Sequence, residues 1–139
     1  MKTFKNERDL LIATAELAKK NAYAPYSKFR VGAALMTVDG DIFHGCNVEN
    51  SSYSLTICAE RNAVFQAAAK GKRKFKAIAI ISDDKGLITP CGACRQVLAE
   101  FNPNMEVILA SAGGKKMITT LSALFPVPPD LKKLSRKKR

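Results

Sequence analysis

No run of apolar residues in this 139-residue sequence approaches the ~18 that a membrane-spanning helix requires. The opening residues, Met1-Lys2-Thr3-Phe4-Lys5-Asn6-Glu7-Arg8, lack the apolar segment of a secretory signal, so a cytoplasmic protein is expected. Repeats and low-complexity linkers are also missing, and residues 1–131 read as a single domain of ordinary size. Tryptophan is absent and histidine occurs once, at His44, where it reads as an ordinary surface or core residue of a strand. Acidic residues are scarce, 12 against 23 Lys and Arg, for a net charge of +11. More than half of that excess lies in residues 132–139, where Lys132, Lys133, Arg136, Lys137, Lys138 and Arg139 have no acid among them. This segment reads as a solvated, frayed basic tail, and the modest charge of the body argues against nucleic acid as a partner.

What is present is 47% hydrophobic residues, enough for a core without disulfide staples in a chain of this length. Leu10, Leu11, Thr14, Leu17 and Ala18 recur at helical spacing, which predicts an amphipathic helix over Glu7 to Asn21. Val31 to Val38 and Ile42 to Cys46 are β-rich and flank Asp39-Gly40, a pair suited to a hairpin turn. A polar loop from Asn47 to Ser54 precedes a helix over Cys58 to Lys70. Phe75 to Ser82 reads as a buried strand, and Pro90 as the first-turn residue of a helix that Asn102-Pro103 stops. Met105 to Ala110 and Lys116 to Thr120 complete the alternation. This order predicts a layered α/β domain with a mixed sheet whose later strands run parallel through crossover helices. Pro128 and Pro129 argue against a helix near the C-terminus, where an extended chain is expected.

The chemistry gathers where the two inner helices begin. One start reads Cys58-Ala59-Glu60-Arg61, the other Pro90-Cys91-Gly92-Ala93-Cys94-Arg95-Gln96, and one helix, one strand and a loop separate them. Both therefore open at the same edge of the sheet. Unpaired N–H groups and a partial positive charge at a helix N-terminus favour thiolate over thiol. Three protein ligands with one open position is the arrangement of catalytic zinc, whereas structural zinc is closed by four. A lone C-x-x-C also suits a redox pair, half a zinc knuckle or two buried small hydrophobes. Glu60, two residues beyond Cys58, can project past the helix end and place a carboxylate beside the metal without binding it, as a proton shuttle must. Two rival readings are a structural zinc module closed by Cys46 or His44, and a protein acting on polynucleotides.

Cysteine, one residue, glutamate, then Pro-Cys-x-x-Cys resembles the signature of zinc-dependent nucleobase deaminases. Tyr23-Ala24-Pro25-Tyr26-Ser27-Lys28-Phe29-Arg30-Val31-Gly32-Ala33-Ala34 and Gly45-Cys46-Asn47-Val48-Glu49-Asn50-Ser51-Ser52-Tyr53 narrow the resemblance to the homotetrameric, three-cysteine cytidine deaminases of pyrimidine salvage. It covers Glu7 to Ala110. The resemblance implies a three-layer α/β/α sandwich with a mixed five-stranded sheet. It also implies one Zn²⁺ per subunit on Cys58, Cys91 and Cys94, with Glu60 as the general acid/base on a zinc-activated water and Arg61 offsetting the thiolate charge. For a pyrimidine nucleoside it implies Phe29 stacking on the base, Asn47 and Glu49 on the ribose 3′-hydroxyl, and the Ala59 backbone N–H on the ring carbonyl. Ser51 and Tyr53 match positions that reach a neighbouring subunit's site. Cytidine and deoxycytidine are both implied, without ranking. Beyond Ala110 the chain departs from the family: Phe125 stands before Pro126 rather than after a Leu-Leu-Pro stretch, so the family's C-terminal aromatic role is not carried over.

Overall fold

A computed structural model describes residues 5–132; most of the basic tail, residues 133–139, lies outside the described residues. Helix α1, Glu7–Lys19, begins where the Asn6 side chain accepts the Asp9 N–H, with Glu7 and Asp9 in its first turn and Lys19 in its last, all favourable to the helix dipole. Strands β1 (Val31–Thr37) and β2 (Ile42–Cys46) form the expected hairpin. A single 3-10 turn, Tyr53–Leu55, interrupts the loop before α2 (Ala59–Ala69). Then follow β3 (Phe75–Ser82), α3 (Gly92–Phe101), β4 (Glu106–Ser111), β5 (Lys116–Thr120) and the short α4 (Leu121–Leu124).

The five strands form one sheet in the order β2-β1-β3-β4-β5. Only β3 and β4 are parallel, with α3 as their crossover; every other pairing is antiparallel. The expectation of parallel later strands therefore fails at β5. It follows β4 through a turn at 112–115, far short of the dozen residues a parallel crossover needs. Leu11 and Ala15 of α1 pack with Ala34, Met36, Ala77, Ala79 and Ile108 on one face of the sheet. Ala63, Val64, Ala67 and Leu98 of α2 and α3 pack with Ala33, Leu35, Ile78, Ile80, Val107 and Leu109 on the other. The result is the expected three-layer α/β/α arrangement, with the central strands apolar on both faces.

Three local expectations are corrected. Leu17, placed on the packing face of α1 by its spacing, is 62% exposed, and the buried stripe is Leu11, Ala15 and Ala18. The small alanines take over because α1 lies almost on the β1 backbone: a Cβ on Gly32 would stand 2.0 Å from the Ala15 carbonyl oxygen. Pro90 is not a first-turn residue, since Cys91 keeps an extended backbone (ψ 169°) and is itself the cap. Residues 131–132 are helical rather than extended, two residues past the prolines.

On the opposite face Gly45 allows α2 the same close approach to β2, a Cβ there standing 2.5 Å from the Ala59 carbonyl oxygen. Both obstacles are backbone and cannot swing aside, so Gly32→Ala and Gly45→Ala are each expected to lower the melting temperature by about 5–15 °C. Gly86→Ala, which meets nothing within 4 Å, is the control and is expected to stay within about 2 °C. Thermal denaturation followed by circular dichroism checks all three.

Candidate active site

The start of β1 and the ends of β2 and β3 meet at one sheet edge, since Gly32 pairs with Cys46 and Val31 with Ser82. Arg30 clamps this edge through an ion pair to Asp83 (2.9 Å), to which the buried Lys19 ammonium adds a second (3.3 Å). The Arg30 guanidinium holds the Asp83 carboxyl below its usual range. From this edge the chain enters α2 and α3, whose N-caps are Cys58 and Cys91, both extended. A cap residue is ordinarily Ser, Thr, Asp or Asn, with its oxygen on a backbone N–H. Neither thiol makes such a bond, so both sulfurs point away from their helices and remain available to a ligand.

Cys94, fully buried in the first turn of α3, brings the third sulfur, and all three lie within 4.8 Å of one another. The Cys58 and Cys91 sulfurs are 3.7 Å apart. At Zn–S distances of about 2.3 Å, two tetrahedral ligands stand about 3.8 Å apart, so the cluster has the span of a zinc site. All four cysteines are free. The Arg61 Nη2–H donates to the Cys58 sulfur (3.5 Å), while its Nε is buried with no partner. A shared proton from Cys94 and the Arg61 charge hold the Cys58 thiol down to about 5. The same sharing and burial push the Cys94 thiol up. The thiolate form of Cys58 is thus favoured even before metal enters.

Glu60 is 4% exposed and follows Ala59 in the first turn of α2. Burial, with a further push from the Cys58 thiolate, raises its carboxyl to about 7. It lies outside the ligand cluster, as the motif reading required of a shuttle. Cys46 and His44 do not join the three sulfurs. They line a groove with Asn62 and Gln66 of α2, which leaves the closed, four-ligand alternative without a fourth residue among those described.

The expected nucleoside residues sit around the same edge. Phe29 is half-buried and packs against the core beneath α2 and α3. Asn47 is spent largely on backbone: its Oδ1 accepts the Val31 N–H (2.9 Å) and its Nδ2 donates to the Phe29 carbonyl (2.8 Å). One proton and one lone pair remain. Glu49 accepts the N–H groups of Tyr26 (3.0 Å) and Ser27 (3.1 Å) and the Ser27 hydroxyl, chiefly the last of which holds its carboxyl below the usual range. Ala59, at 0% exposure, opens α2 with an N–H that has no partner within the helix. Ser51 is exposed and Tyr53, 78% exposed, meets Tyr26 edge-on at 6.2 Å.

Two residues escaped the sequence reading. Arg95 donates to the Leu124 carbonyl (2.9 Å) and ties α4 to the helix that carries Cys91 and Cys94. Nothing in its residue type signals that contact. Ser27 has a faint signal, a hydroxyl two residues before the Phe29 N–H it bonds, as in a serine turn. Phe125 lines a groove with Ala99, Glu100 and Pro128 along the C-terminal half of α3, away from the sulfurs.

The profile of the cytidine and deoxycytidylate deaminase zinc-binding region matches residues 5–111. A cytidine deaminase of Sporosarcina psychrophila is 55% identical over 84% of this chain and 86% of its own length. The crystal structure of cytidine deaminase from Burkholderia pseudomallei superposes with a TM-score of 0.84 at 51% identity, covering 86% of this chain and 97% of that one. That from Mycobacterium tuberculosis gives 0.78 at 35% identity, over 91% and 99%. The chain belongs to the cytidine and deoxycytidylate deaminase family, and its cofactor is zinc, one ion per chain.

Cys94→Ser is expected to leave well under one zinc per chain after dialysis, because among the described residues only Cys58, Cys91 and Cys94 form the cluster. Cys46→Ser and His44→Ala are expected to keep one. Atomic emission on the purified variants checks this, and zinc loss from Cys46→Ser or His44→Ala would reinstate the four-ligand site.

Proposed function

We propose that this protein hydrolyses cytidine, and 2′-deoxycytidine, to the uracil nucleoside and ammonia, as a zinc enzyme of pyrimidine salvage. The observation that carries the reading is a buried glutamate standing beside, but not within, a three-sulfur cluster at two converging helix starts. Cys58, Cys91 and Cys94 hold the zinc. When bound there, zinc supplies Lewis acidity that brings the proton of a water molecule within reach of a neutral-range base.

Glu60 is that base. It takes one proton from the attacking water and gives it to N3 of the pyrimidine as C4 becomes tetrahedral, then takes the second from the new C4 hydroxyl and delivers it to the amine, so that the C4–N bond breaks, ammonia leaves and the C4 carbonyl forms. A carboxyl in the neutral range is suited to both halves of the cycle, since it can take up a proton and give it away again within one turnover. Arg61 offsets the charge of the thiolates. The Ala59 N–H, on the same turn as Glu60, fixes the ring by its carbonyl. Phe29 stacks on the base, and Asn47 and Glu49 bond the ribose 3′-hydroxyl.

Residues 1–131 form one catalytic domain with 132–139 as a basic tail. The enzyme is a cytoplasmic homotetramer in which Ser51 and Tyr53 reach a neighbouring site. The exposed Tyr53, Leu55 and Tyr26 support that assembly, being costly to leave in water.

Zinc-loaded wild type is expected to convert cytidine to uridine and ammonia, followed by ultraviolet absorbance and ammonia release. Glu60→Gln is expected to keep its zinc and its melting profile while losing about 10²–10⁴-fold or more in kcat. Undiminished turnover by Glu60→Gln would overturn the mechanism, and turnover confined to a cytosine-containing oligonucleotide would overturn the substrate class.

A further inference from the structure

Segment 23–29 lies against segment 47–49 through main-chain bonds: the Tyr23 N–H donates to the Asn47 carbonyl (2.9 Å) and the Glu49 N–H to the Tyr23 carbonyl (2.8 Å). Past this bridge, the Lys28 N–H closes a turn onto the Ala24 carbonyl (3.0 Å). Lys28 itself takes φ 60°, among the described residues the one non-glycine residue in the left-handed region. Such a conformation is unfavourable for a side chain of this kind and persists only where neighbours enforce it. It falls between Ser27 and Phe29, the ring that the nucleoside reading stacks on the base.

The Ser27 hydroxyl occupies the crossing point. It donates its single proton to the Glu49 carboxylate and accepts the Phe29 N–H (3.0 Å). Three of the four acceptor positions of the Glu49 carboxylate are thereby taken, by two main-chain N–H groups and this hydroxyl. One is left. A surface pocket lined by Tyr26, Ser27, Glu49, Tyr53 and Thr56 opens onto the same groups. Ser27 is exposed, belongs to neither core cluster and bonds nothing outside this loop pair, so its contacts serve the placing of Glu49 and Phe29 rather than the fold.

We infer that Ser27 is a positioning residue for sugar recognition: its hydroxyl ties the carboxylate that reads the ribose to the main chain that carries the base-stacking ring, and so sets the spacing between them. The inference rests on the nucleoside reading above. It deepens that reading, because a carboxylate with one vacant acceptor position can take one hydroxyl donor.

The test compares kcat and KM of wild type, Ser27→Ala and Ser27→Thr for cytidine, 2′-deoxycytidine and 3′-deoxycytidine, on zinc-loaded protein with melting curves recorded alongside. Ser27→Ala is expected to raise KM for cytidine and 2′-deoxycytidine about five- to tenfold with kcat within about twofold, and to cost 3′-deoxycytidine less than about threefold. Ser27→Thr, which keeps the hydroxyl at this exposed position, is expected to restore wild-type KM. An equal loss on all three substrates, a fall in kcat alone, no change in KM, or a Ser27→Thr no better than Ser27→Ala would each overturn the inference while leaving the deaminase reading intact. A wild type that deaminates none of the three would remove the nucleoside reading and the inference with it.

Discussion

Everything else in this structure depends on two helices beginning at the same sheet edge with cysteine in the capping position. A cap residue must be extended, and its side chain projects beyond the helix. With serine or aspartate that projection would be consumed by a backbone N–H. With cysteine it leaves sulfur aimed at the space between the helix ends, and two such ends bring Cys58 and Cys91 to 3.7 Å. The parallel β3–β4 pair sets where α3 begins, and the Gly45 notch sets how closely α2 lies on β2. Neither arrangement is local, yet together they position three atoms.

The same helix start settles the protonation of Glu60 by opposing effects. A carboxyl in the first turn is favoured as the anion by the helix dipole. Burial disfavours the anion, as does the nearby Cys58 thiolate, and these prevail enough to bring the group to about 7. An exposed first-turn glutamate would remain near its ordinary value and be a weaker base toward the proton of a water molecule. Arg61 belongs to the same balance: it stands one residue on, bonded to Cys58, and tempers the charge that would otherwise drive Glu60 higher still.

The chemistry was legible because it is written in short motifs whose spacing is fixed by one helix turn. Cys58 with Glu60, and Cys91 with Cys94, need only the knowledge that a helix begins there. The hairpin and the alternating order were legible for similar reasons, since period and turn residues are local. What escaped was decided by distant parts of the chain. Leu17 has the spacing of a core residue but loses its place to Ala15 and Ala18, because Gly32 draws α1 too close for larger side chains. The direction of β5 is fixed by the brevity of a turn, and the start of α3 by the extended backbone of Cys91 beside Pro90. The motif marks Asn47 and Glu49 as candidate sugar-binding groups, whereas their engagement with the main chain of residues 26–31 was not legible.

That engagement divides the labour of the site. On the function proposed above, the reacting groups stand on helix starts, held by core packing on α2 and α3, while the groups assigned to the nucleoside stand on two loops held chiefly by one another. The loops join the chemistry through few bonds: the Val48 and Ile57 main-chain pair, and the Asn62 side-chain amide donating to the Cys46 carbonyl (2.8 Å). A change within the loops can therefore alter which sugar is accepted without disturbing the sulfurs or Glu60. A change at the helix starts has no such freedom, because Ala59, Glu60, Ala63 and Cys94 are buried and any shift of one is transmitted to the metal cluster. Substrate preference in this fold is thus the adjustable property and the reaction the fixed one.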